Sequence, residues 1–92
     1  MRSSEADSDP VVRDLRDQIA DADAELLDTV NRRLELVRRL KEHKASRGLE
    51  FVDRAQEEQL IARLADQNPG PLSKDGLRTL YRALLDVVKR EA

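Results

Sequence analysis

Two cations, Arg33 and Lys44, stand on a helical stripe that is otherwise apolar. The stripe steps by three and four residues through Val12, Leu15, Ile19, Ala22, Leu26 and Val30, then continues through Arg33, Val37, Leu40 and Lys44. That spacing is one face of a helix. Three turns separate the two cations, so they point the same way, roughly 16 Å apart along the axis. Charges on a buried face are costly unless something of opposite sign meets them. A face that turns from apolar to basic at its far end therefore predicts an internal pocket for a small anion.

The rest of the composition narrows the chemistry. The chain has 92 residues, no cysteine and one histidine, so there is neither a disulfide framework nor a thiolate site. His43 has no second ligand type at metal spacing and reads as a solvated helix residue. No metal or cofactor is expected. A net charge of −2 with acids and bases interspersed argues against a nucleic-acid binder, which would carry a basic face. No apolar run reaches the length of a membrane span and the N-terminus has no hydrophobic signal core. A cytoplasmic protein that binds neither nucleic acid nor membrane is the expectation.

Few aromatics, three glycines and a charged fraction of 39% fit a helical bundle. Residues 1–9 read as a disordered tail and 10–92 as one helical domain. Asp9 and Pro10 form a helix start, with Asp as N-cap and Pro in the first turn. Nothing interrupts the pattern until Gly48, a C-terminal cap, which gives a first helix about 57 Å long. Leu49 to Val52 connect, with Phe51 and Val52 expected against the bundle. Asp53 caps a second helix over 54–66, with Gln56 at the capping-box position and Leu60, Ile61 and Leu64 on one face. Asn68-Pro69-Gly70-Pro71 is a break. Ser73 caps a third helix carrying Leu77, Leu80, Tyr81, Leu84 and Val88. Neither short helix can cover the stripe on the first. An intertwined, all-α homodimer of one long and two shorter helices follows, most simply around a two-fold axis.

The order of these residues resembles a known family. The segments Leu15-Arg16-Asp17-Gln18-Ile19, Ala22-Asp23-Ala24-Glu25-Leu26-Leu27 and Asn31-Arg32-Arg33-Leu34-Glu35-Leu36-Val37 are similar to the long first helix of the all-α (AroQ-type) chorismate mutases. Lys44 before a glycine turn, Phe51-Val52-Asp53 leading to Glu57, and Asn68-Pro69-Gly70-Pro71-Leu72-Ser73 extend the match to about residues 11–91. The resemblance implies the rearrangement of chorismate to prephenate, on the route to phenylalanine and tyrosine, without a cofactor. By position it implies that Arg16, reaching across a homodimer, and Arg33 hold the substrate's carboxylates. Lys44 would sit at the ether oxygen, and Asp53 and Glu57 at the ring hydroxyl. Catalytic work would fall to Lys44, Arg33 and Glu57.

Three positions depart from the family pattern. Gln56 stands where many members have arginine, Val88 replaces a third-helix hydroxyl residue, and Ala92 falls where a glutamine is common. A shifted alignment of the third helix would bring Lys89 or Glu91 to the site instead. Taken singly, each site residue has a plainer reading. Arg16 flanks the stripe, Arg33 can snorkel or pair, Lys44 complements the helix dipole, Asp53 is an N-cap and Glu57 a first-turn acid. As an ordered set they read as a site. The alternatives on the same scaffold are an isochorismate-pyruvate lyase, an aminodeoxychorismate mutase, or a weakly active subunit that depends on a shikimate-pathway synthase. A structural coiled-coil adaptor leaves Arg33 and Lys44 unexplained.

Overall fold

The computed structural model describes residues 8–92 and is all-α, with no strand among the described residues. Among the described residues three helices follow in order: α1 (Pro10–Ser46), α2 (Arg54–Gln67) and α3 (Lys74–Glu91). The predicted tail over 1–9 lies almost wholly outside the described residues. The chain divides into two compact units, one ending at Arg33 and the other spanning Leu34 to Ala92, and α1 contributes to both.

Each helix starts where its capping residue dictates. The Asp9 carboxylate accepts from the Val11 N–H at 2.9 Å and the Val12 N–H at 3.4 Å. Asp53 accepts from Gln56 N–H and Ser73 from Gly76 N–H at the starts of α2 and α3. Each satisfies N–H groups that have no partner within the first turn. α1 ends at Gly48, whose φ of 68° suits a residue without a Cβ. There the Leu49 N–H reaches back to the Lys44 carbonyl at 2.8 Å and the Gly48 N–H to that of Ala45 at 3.2 Å, a Schellman closure. α2 runs one residue beyond its expected end, to Gln67, because the Asn68 N–H still bonds to the Leu64 carbonyl.

In the unit from Leu34 onward the core lies between α2 and α3. Ile61 has no exposed surface and packs with Leu77 and Leu85, with Leu60, Leu64, Ala65 and Tyr81 around them. Val88 is also buried. The face of α3 differs from the expected one: Leu80 is 53% exposed, and Leu85 is buried. The α3 stripe facing α2 steps through 77, 81 and 85, and Leu80 falls on its flank. Val52 is likewise exposed, whereas Phe51 is half-buried, with the Lys41 ammonium 5.5 Å from its ring centroid, a cation–π distance.

In the unit that ends at Arg33, α1 carries its apolar stripe in the open: Leu15, Ile19 and Leu26 are all more than half exposed. Local pairs along the surface support it, among them Gln18 to Asp14 at 2.8 Å, the i, i+4 spacing that stabilises isolated helices. Among the described residues no helix is long and apolar enough to cross a membrane.

Because Ile61 is fully enclosed, Ile61→Ala is expected to cost roughly 2–5 kcal/mol, read as a lowered midpoint in urea denaturation. Leu80→Ala, on the exposed flank, is expected to change the midpoint far less.

Candidate functional site

The expected site residues divide between the two units. Arg16 and Arg33 belong to the first. Arg16 is exposed on α1. Arg33 is half-buried, and its Nη1 is fully enclosed with no hydrogen-bond partner among the described residues. A guanidinium N–H without an acceptor out of water is unfavourable. Its position therefore suits an anionic acceptor.

The second unit holds Lys44, Asp53, Gln56, Glu57 and Val88. Lys44 lies in the last turn of α1, half-buried, and its Nζ donates to the Phe51 carbonyl at 3.4 Å. That long contact leaves two of the three ammonium protons for other acceptors. Asp53 is the N-cap of α2, its Oδ1 accepting from Gln56 N–H at 3.1 Å. Gln56 is exposed. Glu57 follows in the first turn of α2, where the N-terminal end of the helix dipole favours a negative charge. Val88 is buried on α3, so its side chain offers only apolar surface.

Sequence reasoning singled out Glu57 without a partner for it. The structure supplies one in Lys89, whose Nζ lies 2.9 Å from Oε2 and 3.1 Å from Oε1. Lys89 stands one turn beyond Leu85 on α3, so the packing of Leu85 on α2 carries the ammonium over α2. Glu91, the other residue raised for the third helix, uses its main-chain carbonyl to accept from Arg38 Nη2 at 3.1 Å.

A cavity of about 400 Å³ opens between α2 and α3, lined by the cations Arg54, Arg82 and Lys89, the acids Glu57, Glu58 and Asp86, and Leu85. Glu58 is held within it by a fork of arginines. Arg82 hydrogen-bonds one carboxylate oxygen and Arg78 lies 3.7 Å from the other. The Arg82 hydrogen bond and positive charge, with Arg78 as a lesser contributor, hold the Glu58 carboxyl below its ordinary value. The only sequence signal for this fork is that Arg78 and Arg82 are one turn apart, which a charged helix shows by default. Among the described residues no cluster of His, Cys, Asp or Glu could hold a metal ion.

Comparison with known proteins adds a second line of observation. The family model for chorismate mutase type II matches residues 15–92. Two solved structures are similar over most of the chain. The form I structure of chorismate mutase from Thermus thermophilus shares 26% identity, covering 84% of this chain and 96% of that one, with a TM-score of 0.82. The form II structure of the same enzyme shares 25% identity, covering 86% and 90%, with a TM-score of 0.84. A comparison with curated proteins gives no match.

The Glu58 carboxyl titrates lower in the folded chain than unfolded, so its contribution to stability is complete above the ordinary value of 4.5. It is lost as pH falls below that value through the folded pKa. Urea midpoints of the native chain and Glu58→Gln are expected to differ at pH 7, and the difference to shrink as pH falls below 4.5 through the lowered folded pKa.

Proposed function

The chain belongs to the chorismate mutase type II family, an isomerase family, and from that premise we propose that it rearranges chorismate to prephenate in a pocket lined by arginine and lysine. The observation that carries the reading is the enclosed Nη1 of Arg33, without a partner among the described residues, which a substrate carboxylate would satisfy. Residues 10–92 form the catalytic domain in this reading.

The chemistry asks for little beyond position and charge. The rearrangement is unimolecular and pericyclic: the ether C–O bond breaks as a C–C bond forms, with no proton transfer and no nucleophile. Holding a flexible dianion in its folded, reactive shape can lower the barrier by several kcal/mol. Arg33, with Arg16 from a second copy, would grip the two carboxylates, a task suited to planar guanidinium forks. Negative charge grows on the ether oxygen as its bond breaks, and Lys44 would meet it. A preorganised ammonium at that point favours the transition state over the ground state. Asp53 and Glu57 would accept from the ring hydroxyl, with Gln56 and Val88 completing the walls. The free ammonium protons of Lys44 and the placement of Glu57 in the first turn of α2 support these roles.

Supply of Arg16 from a second copy calls for a homodimer. The exposed Leu15, Ile19 and Leu26 of α1 support it, since an apolar stripe of that length in water is unfavourable. The valine and alanine at 88 and 92 remove polar groups that the family commonly has there, which fits a chain whose full activity depends on a shikimate-pathway synthase. A biosynthetic role of this kind belongs in the cytoplasm.

Chorismate consumption by the purified chain, with prephenate and pyruvate both assayed, tests the proposal. Prephenate formation is expected, and Lys44→Ala is expected to reduce kcat on the order of 10²–10³-fold. Pyruvate instead of prephenate would make the chain a lyase. No turnover by the folded native chain, alone or with a shikimate-pathway synthase, would overturn the proposal.

A further inference from the structure

Lys89 spans both oxygens of Glu57, at 2.9 and 3.1 Å, and the two side chains are only 33% and 26% exposed. An exposed ion pair through one oxygen would say little. A contact to both oxygens, made between two helices packed on Ile61 and Leu85, fixes where the carboxylate points and offsets its charge. Of the neighbouring charges, the Asp53 carboxylate is engaged by the Gln56 N–H as the N-cap of α2. Glu58 is engaged by Arg82 and Arg78, and Arg54 and Asp86 add one charge of each sign to the cavity.

Resting on the assignment of Glu57 to the ring substituent of the substrate, we infer that Lys89 is a positioning residue that sets the charge preference at that point. A neutral hydroxyl on the ring is accepted, and an ammonium in its place is disfavoured. A carboxylate retains free lone pairs when an ammonium holds it, so a hydroxyl can still donate to Glu57. An incoming ammonium would meet Lys89 at the same two oxygens, and like charges at that range repel. Without Lys89, Glu57 would instead attract the cation.

The test is a competition between chorismate and an otherwise identical substrate bearing a ring amine in place of the hydroxyl, run on the native chain, Lys89→Met, Lys89→Gln and Lys89→Arg. The native chain is expected to prefer chorismate. Both neutral variants are expected to move the ratio of kcat/KM values toward the amine on the order of tenfold, and Lys89→Arg to keep the native ratio. The ratio is internal to each protein, so a loss of folded material changes both rates alike. Two neutral variants are included so that a folding defect in one leaves the other readable. A native preference for chorismate that is unchanged in the neutral variants overturns the inference and leaves the proposed function standing. A native preference for the amine overturns the inference and redirects the proposed function to the aminated substrate. A native chain that rearranges neither overturns both.

Discussion

The packing of α2 on α3 around Ile61 is the contact on which the other arrangements in the second unit rest. Ile61 is the one side chain among the described residues with no exposed surface. The residues that carry charge toward one another, Glu57 and Glu58 on α2 and Arg78, Arg82 and Lys89 on α3, are set by the register of that contact. A one-residue rotation of either helix turns its side chains by about 100°. Glu57 would then lose Lys89, and Glu58 would lose its arginines. The apolar core thus fixes the polar geometry, which spares long, flexible side chains from having to find each other unaided.

A reaction with no proton to move relaxes many demands on a protein and sharpens one. General acids and bases require pKa values tuned near neutrality, whereas the arginines beside Glu58 drive its carboxyl further into its ionised form. What a pericyclic shift demands is fixed charge at the correct place. A chain with 17 basic and 19 acidic residues and no cysteine has charge in plenty, so the difficulty lies in holding it still. Burial, capping and short paired contacts are the means used here.

Much of this was legible in the sequence because it depends on neighbours in the chain. Asp9, Asp53 and Ser73 cap the helices they were expected to cap, and Gly48 ends α1 with the positive φ its position called for. Local chemistry of that kind needs only a few residues on either side. The choice of Leu85 over Leu80 on α3 could not be read in the same way, since both sit at helical spacing and only the approach of α2 selects between them. For the same reason Glu57 could be singled out without its partner, and which of Lys89 and Glu91 approaches the site stayed open. Adjacent positions on a helix diverge by more than a quarter turn, and a sequence match carries no record of which one faces inward. The orphaned Arg33 Nη1 lies between these cases: its place on the stripe was visible, and its lack of a partner was not.

The end of α1 divides one residue between two tasks. The main-chain carbonyl of Lys44 accepts the hydrogen bond that closes the turn, while its side-chain Nζ reaches the carbonyl of Phe51. The closure uses no side-chain atom at position 44, so the backbone path does not depend on which residue stands there. A different head group at the end of the helix would keep the turn and lose only the contact to the Phe51 carbonyl. Scaffolds that separate the shape of a turn from the chemistry it presents in this way are well suited to acquiring related reactions by single substitutions.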